Sequence, residues 1–478
     1  MTTTSTRFEL ARVQLQFDTP FRVGAGGWDP LVDAFFATDA NGLPALPGTS
    51  IAGVMRHAAR AAWGERETAA VFGFQRGNEG RASRVRVSWG QVHDAQDRPV
   101  PFWGANLAGD DVLVALAAGV VRDHVRIGPR GTVDGTGKFD EQVVLAGARF
   151  TFELLLDAGS GRSMVELLGL LASPTVRLGA GSRKGLGRFH VNAVGRSFDL
   201  ANASDREAFA RLPVGLHEPV PAGLLQPLEG VEAPTSRRWV TGTLTLEPVD
   251  FWMVGGGDPW REDAHRRSQR GEEAWIDMVP VEMAEITWSG GAGRVAPPRP
   301  VVPGSSLKGV LRHRVAFHAR RLAHRYCDPE QDVDLAAEEV VEEVDALFGS
   351  IKTGDEGRPG RILLADGRVD GERRGRLDHV SLDRFTQGPL DRALFSEAPL
   401  FGGLVQFDLA LDLGADTGAV DHRGDREDGV SDRALAALRH ALDDLCAERL
   451  PIGAGANRGH GYCRGRISWK DGNTPWTT

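Results

Sequence analysis

The sequence has few cysteines and no long apolar run. Its three cysteines, Cys327, Cys446 and Cys463, lie far apart and form no CxxC pair. This spacing excludes a disulfide framework and gives no support to a cysteine-based zinc site. Because no apolar run approaches about 18 residues, no membrane-spanning helix is predicted. The segment MTTTSTRFEL has no basic patch before an apolar stretch, so we expect no signal peptide and a cytoplasmic protein with reduced thiols.

Basic residues are also too few for a protein that binds nucleic acid without discrimination. The chain has 56 Lys and Arg against 65 Asp and Glu, which gives a net charge of −9. A free, unspecific nucleic-acid binder is usually basic overall, so this class is excluded, although local basic tracks are not. A chain of 478 residues is too long for one ordinary hydrophobic core and suits two or three domains. Its 41% apolar and 25% charged residues are normal for a soluble globular protein.

What the sequence does contain is a repeat that spans its length. PGTSIAGVMRH at 47–57 returns as PGSSLKGVLRH at 303–313. Five further pairs occur in matching order: a strand-like stretch (8–17 and 240–249), a Gly-rich segment with acids (24–39 and 255–282), a Phe-Gly step (72–73 and 348–349), a His-Val step (124–125 and 379–380) and a glycine loop (178–189 and 452–463). Chance matches would not preserve order, so we predict two copies of one module. Their bounds are 1–200 and 238–478, with a proline-rich linker at 201–237.

The repeated phrase predicts an anion-binding helix start in each half. Pro303 and Gly304 favour a turn, and Ser305 or Ser306 is expected to cap the helix that follows. Free amides at a helix N-terminus, next to a hydroxyl and a cation, form a seat for an anion. Ala52 stands where the second half has a lysine, so the first site is expected to be weaker. The candidate binding residues are Ser305, Ser306, Lys308 and Arg312 in the second half and Ser50 and Arg56 in the first.

The glycine loops predict a second pair of binding surfaces. Both read GxGxxxGxG, and arginines flank them. Closely spaced glycines let a partner approach the backbone, and turn amides can cradle phosphate, whereas a purely structural hairpin is the alternative. The spacing does not fit a dinucleotide-binding fingerprint, and no GxxxxGK[ST] is present. The candidate binding residues are Gly179, Gly181, Arg183, Lys184 and Gly185 in the first loop and Gly453, Gly455, Asn457, Arg458 and Gly459 in the second.

Together these motifs resemble the RAMP superfamily of CRISPR-associated proteins. Each half has a strand, a Gly-rich segment with acids, a PG[TS]S phrase with its helix, and a late GxGxxxGxG loop. The chain is most similar to two backbone subunits of type III effector complexes fused in tandem, as in some type III-D systems. The resemblance implies an α+β fold, with an RRM-like, ferredoxin-like core and a thumb-like insertion in each module. It also implies guide RNA (crRNA), target RNA and other CRISPR effector subunits as partners, and no membrane.

In this family, backbone subunits that cut target RNA use an aspartate just before PGSS. The resemblance points to Asp33 in the first half, with Asp29 as the alternative. In the second half it points to Asp277, with Asp258 and Asp263 as alternatives. It implies that each carboxylate is both catalytic residue and ligand of a divalent metal ion, Mg²⁺ or Mn²⁺, while the RNA 2′-OH attacks the adjacent phosphate. An aspartate that caps a turn or pairs with arginine is the structural alternative.

Two other functions remain open within the same family. A scaffold subunit would bind guide RNA without cutting, and neighbouring subunits would cleave. A guide-processing ribonuclease would use histidine as general acid and base. Histidines do occupy matched positions, although structural or phosphate-contact roles are the expected alternative: His57 with His313, and His124 with His379.

Overall fold

A computed structural model of the protein describes residues 6–27, 32–128, 133–234, 238–256, 276–325, 342–350, 357–414, 429–472 and 474–476. Within these ranges the helices are α1 Gly48–Trp63, α2 Glu65–Phe72, α3 Asp111–Ala118, α4 Met164–Ala172, α5 Ala203–Ala210, α6 Gly304–Leu322, α7 Glu342–Phe348 and α8 Asp432–Cys446. Short 3₁₀ turns cover Ala158–Ser160, Ser182–Lys184, Ala456–Arg458 and Lys470–Gly472.

The strands divide between the two halves of the chain. The first half has β1 Arg7–Phe17, β2 Phe74–Arg76, β3 Glu79–Arg81, β4 Val85–Val87, β5 Gln91–Val92, β6 Val120–Ile127, β7 Val133–Val143, β8 Arg149–Asp157, β9 Phe189–Asp199 and β10 Gln226–Pro227. The second half has β11 Trp239–Pro248, β12 Phe251–Trp252, β13 Glu282–Met283, β14 Ile286–Ser289, β15 Ala292–Val295, β16 Arg299–Val302, β17 Gly349–Ser350, β18 Arg358–Pro359, β19 Ile362–Leu364, β20 Gly367–Asp370, β21 Arg373–Arg374, β22 Leu377–Leu382, β23 Pro389–Glu397, β24 Leu400–Phe401, β25 Leu404–Asp412 and β26 Cys463–Trp469.

Each half builds the same antiparallel sheet. The first sheet contains the order β9-β1-β8-β4, and the second contains β26-β11-β25 with β19 on the far side of β25. In chain order both read strand, helix, strand, strand, helix, strand, where the helices are α1 and α4 in the first half and α6 and α8 in the second. This is the ferredoxin-like arrangement. The predicted α+β fold with two tandem modules is therefore confirmed.

The repeated helices α1 and α6 bury matched positions against their sheets. Every fourth residue points inward, because positions i, i+4 and i+8 share one face of an α-helix. These fully buried residues are Ile51, Met55 and Ala59 in α1 and Leu307, Leu311 and Val315 in α6. In the first module the core below α1 also holds stacked phenylalanines, with the ring centroids of Phe17 and Phe21 3.7 Å apart and Phe150 edge-on to both.

Segments outside the two repeats tie the modules together. The β14–β15 hairpin of the second half packs on the first core: Ile286 is buried there, and the Trp288 indole donates to the Gly147 carbonyl over 2.7 Å. The Arg149 guanidinium lies 4.2 Å from the Trp288 ring centre. The predicted linker contributes α5 and β10, and β10 pairs with β9 at the edge of the first sheet.

The sequence predicts no membrane-spanning helix, and it predicts reduced thiols. In the described part of the chain, no helix is both long and apolar enough to cross a membrane. Cys446 and Cys463 carry free thiols, and Cys327 lies outside the described residues. Burial raises the pKa of the Cys446 thiol to about 11 and that of Cys463 to about 12, so both thiols are protonated and weakly reactive at neutral pH.

The contribution of the aromatic core to stability can be measured by substitution. Replacing Phe150, which is fully buried between Phe17 and Phe21, with Ala leaves a cavity and should lower the unfolding free energy of the first module by about 3–5 kcal/mol. Urea denaturation measures this loss. The matched control is Phe385→Ala, because Phe385 is 90% exposed and its removal should change stability by less than about 0.5 kcal/mol. Equal losses in the two variants would contradict the assignment of the core.

Candidate functional site

Asp33 and Asp277 occupy equivalent positions, each bound to the second strand of a hairpin. The hairpins are β6–β7 in the first module and β22–β23 in the second. The Asp140 amide on β7 donates to Oδ2 of Asp33 over 3.0 Å, and the Asp33 amide donates to Oδ1 of Asp140 over 2.8 Å. On β23, the Ser396 amide donates to Oδ2 of Asp277 over 2.7 Å. Both aspartates are exposed, so each reaches solvent beside its hairpin.

A buried glutamate follows the hairpin partner of Asp33. The Glu141 side chain is 3% exposed, and its two oxygens lie 2.8 Å from His124 Nε2 and 3.3 Å from Arg22 Nε. The His124 ring stacks on Phe139 with 4.8 Å between ring centres. Lys184, from the first glycine loop, places Nζ 4.7 Å from the Phe139 ring centre. The cluster thus links the hairpin to the glycine loop.

The second module repeats this cluster, with Arg458 of its glycine loop in the place of Lys184. The Glu397 side chain is fully buried, and its oxygens lie 2.8 Å from His379 Nε2 and 2.8 Å from Arg458 Nη2. His379 stacks on Phe395 with 4.7 Å between ring centres, and Arg458 lies 5.6 Å from the same ring. His460 Nδ1 is 3.8 Å from the carboxylate. We call the two arrangements the buried-glutamate clusters.

The glutamate of the first cluster is held in its ionised form. Burial by itself would raise the pKa of Glu141, but the close contact with His124 and the charges of Lys184 and Arg22 lower it from 4.5 to about 2. An ionised carboxylate in a buried position needs such partners, because desolvation penalises an unpaired charge. The cluster is therefore an electrostatic support for the hairpin next to Asp33.

The first glycine loop packs against the start of the second repeated helix. A Cβ atom on Gly304 would lie 2.8 Å from the Lys184 carbonyl oxygen, and a Cβ on Gly185 would lie 2.9 Å from the backbone nitrogen of Asp366. Such distances leave no room for a side chain, so the two backbones touch directly. The sequence motifs predicted separate surfaces for this loop and this helix, whereas the fold makes them one surface.

This packing gathers cations from both modules. The gathered residues are Arg183, Lys184, Lys308 and Arg312. Burial, followed by the like charges of the other three, lowers the pKa of Lys308 from 10.5 to about 8. The charged form of such a cation is stabilised when an anion binds, because the anion offsets both the desolvation and the repulsion. We call these four residues the junction cations.

The expected serine cap of the second helix is wrong. α6 begins at Gly304 with Pro303 at its N-cap and no side-chain cap, so Ser305 and Ser306 lie inside the first turn. The Ser306 amide already donates to the Pro303 carbonyl over 2.9 Å. The Gly304 amide donates to Oδ1 of Asp366 over 2.9 Å. Because a carboxylate of the protein holds this amide, the helix start is not a free anion seat.

Several loop glycines are required by the protein's own backbone. A Cβ on Gly179 would lie 2.4 Å from the Arg22 carbonyl oxygen, and a Cβ on Gly453 would lie 2.2 Å from that of Met253. A positive φ, which favours glycine, occurs at Gly181, Gly185, Gly455 and Gly459. Glycine is therefore explained at these positions without a bound partner, and the predicted RNA contacts there remain a prediction.

The remaining predicted residues are not among the junction cations. Ser50 is in the first turn of α1, and Arg56 is exposed one and a half turns later. In the second glycine loop, Asn457 and Gly459 are exposed, whereas their neighbour Arg458 contacts its buried-glutamate cluster. The alternative acids fall outside the described residues: Asp29, Asp258 and Asp263.

The aspartates fit a metal ion that arrives with a substrate rather than a resident one. In the described ranges, no three His, Cys, Asp or Glu side chains are grouped as metal ligands. Mg²⁺ is commonly held by one or two carboxylates together with substrate phosphates and water. The first module offers two neighbouring carboxylates, Asp33 and Asp140, and the second offers Asp277 beside a serine, Ser396. We therefore expect weaker metal binding in the second module.

The paired histidines were predicted from the sequence, but their glutamate and phenylalanine partners were not. The signal was present, because each half carries a Phe-x-Glu tripeptide at nearly the same distance after its His-Val step: Phe139-Asp140-Glu141 and Phe395-Ser396-Glu397. Alternation along a strand puts the Phe and the Glu on one face, where both meet the histidine. Asp366 was also missed, because no local pattern shows that it reaches a helix start 62 residues away.

Comparison with known proteins agrees with this division of the chain. A family model of the RAMP superfamily matches residues 14–190 and 249–464. The two matched regions fall one in each module and together cover more than half of the chain. Each contains its module's predicted aspartate, hairpin and buried-glutamate cluster. No curated protein matches the chain.

The ionised Glu141 predicts a pH-dependent contribution to stability. Its pKa is lower in the folded protein than in the unfolded chain, so the stabilisation is complete above about pH 4.5 and is lost as pH falls toward about 2. Glu141→Gln should therefore cost about 1–3 kcal/mol at pH 7, and the cost should shrink below pH 4.5. Urea denaturation at several pH values measures this loss of unfolding free energy. Glu207→Gln, at an exposed position of α5, is the control, and a pH-independent cost at Glu141 would contradict the assignment.

Proposed function

The chain belongs to the RAMP superfamily, and from this premise we propose that it is a guide-RNA-binding backbone subunit of a type III CRISPR effector complex that cleaves target RNA. Membership in the family implies a CRISPR-associated RNA-binding subunit. The proposal goes further by naming the complex, the cleavage reaction and its residues. Asp33 and Asp277 are the proposed catalytic residues, one for each module, so a target would be cut at two places.

The equivalence of the two aspartates is the observation that carries this proposal. Unrelated surface acids would not both accept a backbone hydrogen bond from the residue just before a buried glutamate. The same surroundings occur twice: an exposed carboxylate, a hairpin strand, and a cation from the glycine loop behind it. A duplicated arrangement of this kind suits a strand-like ligand that meets each module in turn.

The chemistry suits one carboxylate for each cut. RNA supplies its own nucleophile, the 2′-OH, which attacks the adjacent phosphorus and leaves a cyclic phosphate and a free 5′-OH. The protein then has to hold the sugar and phosphate in line and to stabilise the developing negative charge. A divalent metal ion bound by Asp33 or Asp277 would supply charge stabilisation at the phosphate. Cations of the glycine loop, Lys184 and Arg458, lie behind the same hairpins and add positive potential.

The junction cations support the RNA-binding part of the proposal. Lys308 and Arg183 reach one surface from different modules, so a single ribose-phosphate strand could contact both. The net charge of −9 shows that this positive potential is local rather than general. Local positive surfaces bind phosphate through charge, and an effect of this kind is strongly dependent on salt.

A non-cutting scaffold is the second candidate function. It is favoured by the hydrogen bonds that already occupy Oδ2 of each aspartate, which would equally serve to fix the loop to the hairpin. The histidines do not favour the third possibility, guide-RNA processing, because His124 and His379 are each paired with a buried glutamate. Cleavage assays separate the three.

Each proposed catalytic aspartate should control its own cut. In the assembled complex with guide RNA, Asp33→Ala should abolish one cleavage product of a complementary target, and Asp277→Ala should abolish another, each by at least about 100-fold. The products are resolved on a denaturing gel with Mg²⁺ or Mn²⁺ present. The bound guide RNA is quantified in parallel and should be unchanged.

Alternative acids provide the matched controls for this experiment. Asp29→Ala and Asp258→Ala should leave both cuts in place. If wild-type complex binds target RNA with metal present but never cuts it, the scaffold function holds instead. Cleavage of repeat RNA by the isolated chain without added metal would favour guide processing.

The lowered pKa of Lys308 predicts that RNA affinity depends on pH. Its pKa of about 8 means that it is charged at pH 7 and largely neutral at pH 9. Phosphate binds the charged form, so affinity for guide RNA should fall by up to about tenfold over this range. Lys308→Arg keeps its charge at both pH values and should flatten the dependence, whereas Lys308→Met should bind weakly at both. Filter binding at constant salt measures the affinities, and equal pH dependence of wild type and Lys308→Arg would refute the assignment.

A further inference from the structure

The two modules differ at one edge of their sheets. In the first module the strand β9 has a further neighbour, because Gln226–Pro227 of the predicted linker pairs with it as β10. In the second module the equivalent strand, β26, is the last strand of its sheet within the described residues. The outer side of an edge strand carries backbone amides and carbonyls, which form a template for one more strand.

The linker covers the edge of the first module with both its backbone and its side chains. After β10, the Leu228 amide donates to the Ala193 carbonyl on β9 over 3.0 Å. Leu228 and Val231 pack against the core of the first module. The linker then touches α4, since a Cβ atom on Gly169 would lie 2.4 Å from the Glu232 carbonyl oxygen. The linker therefore fills the space between β9 and α4.

The backbone of β26 presents outward-facing groups at the position that the linker uses in β9. Phe189 and Cys463 each begin the edge strand of their module and pair with the last residue of its first strand, so Ile467 is the equivalent of Ala193. The Cys463 carbonyl accepts the Glu448 amide over 3.1 Å on the outer side of β26. Because backbone groups alternate between the two sides of a strand, those of Ile467 also point outward. A strand added there would repeat the hydrogen bond that the linker makes.

An open groove lies between β26 and α8, where the linker lies in the first module. Its volume is about 320 Å³, and we call it the edge groove. The helices α4 and α8 end at the same distance before their glycine loops, so Asp443 at this groove is the equivalent of Gly169, which the linker touches. The apolar part of the lining comes from α8, from β26 and from the segment that follows: Leu442, Cys446, Ile467, Trp469 and Trp476.

Trp469 borders the edge groove without closing it. Gly195, at the equivalent position of β9, is buried, and a Cβ atom there would lie 2.9 Å from Leu228 of the linker. The Trp469 ring instead extends over the neighbouring strand β11, where a Cβ on Gly242 would lie 2.9 Å from it. It packs edge-on against Trp476, with 5.7 Å between ring centres. The two indoles therefore form an apolar wall beside the open strand edge.

Two guanidinium groups at the edge groove define the charge of an occupant. Arg439 and Arg466 are exposed, and neither forms an ion pair within the part of the chain that the structure describes. Asp443 lines the same groove, so two positive groups face one negative group. Continuing the pairing of β10 with β9 along the linker sets Glu229 opposite Asn192, the equivalent of Arg466. An acidic residue at that point of an added strand would therefore lie beside Arg466.

We propose that the edge groove binds an extended segment of another protein, which adds to β26 as an antiparallel strand. The segment places an apolar side chain against Leu442 and Ile467 and a carboxylate on Arg466. Backbone hydrogen bonds supply the affinity of such strand addition, and the side-chain pocket supplies its specificity. A polypeptide suits this site better than RNA, because the backbone groups of a strand edge repeat at the spacing of another strand. The proposal does not depend on whether the protein cuts RNA.

A synthetic peptide with the linker sequence LLQPLEGVEA, residues 224–233, is the probe, because it carries the apolar and acidic groups that the edge groove fits. Fluorescence anisotropy of the labelled peptide, titrated with the full chain, should show saturable binding at one site. The attached linker already occupies the equivalent edge of the first module, and its high effective concentration keeps the peptide out. Arg466→Glu should weaken binding at least about tenfold, because it sets like charges opposite each other. Asn192→Glu makes the matched change at the filled edge and should bind like wild type.

A charge exchange separates loss of docking from misfolding. A peptide with Glu229→Lys should bind wild type weakly and should bind the Arg466→Glu variant at least about tenfold more tightly. Peptide binding should also slow hydrogen–deuterium exchange of the β26 amides. The proposal is overturned if wild type does not bind the peptide, if Arg466→Glu binds it equally well, if the exchanged pair does not recover binding, or if exchange in β26 is unchanged. Displacement of the peptide by an oligouridylate of about ten nucleotides would assign the groove to RNA and also overturn it.

Discussion

The direct backbone contact between the first glycine loop and the start of α6 is the constraint on which the rest of the structure depends. Gly185 and Gly304 lie at this contact, and neither position has space for a Cβ atom. Because the backbones touch, the cations beside them converge, and Lys308 shares one surface with Arg183. The same contact brings Asp366 to the helix start, where it binds the Gly304 amide. Module packing and the cationic surface therefore have one cause.

The buried-glutamate clusters extend this constraint to the proposed catalytic aspartates. Glu141 and Glu397 are buried charges, which persist only with close partners, and those partners come from a hairpin and from a glycine loop. Each cluster thereby fixes the hairpin strand that holds Asp33 or Asp277. A catalytic carboxylate needs such support, because small displacements of a reacting group cost rate steeply.

Ion pairs across the junction hold the two modules together. Arg122 pairs with Asp366 and Arg188 pairs with Asp408, so each pair has one member from each module. A buried ion pair tolerates the loss of both partners far better than the loss of one. The buried pair of Arg122 with Asp366 therefore ties residues of the two modules to each other.

The sequence by itself determined the duplication, because ordered motifs are local properties that survive without coordinates. The family resemblance that those motifs carry supplied the α+β class and the two aspartates as candidates. It did not reveal that the first glycine loop joins the second helix, that Asp366 occupies the helix start, or that Phe-x-Glu meets the His-Val histidine. These are contacts between residues distant in the chain. Only tertiary packing decides them, because it alone sets which backbone surfaces come close enough to exclude a side chain and which buried charges must share partners.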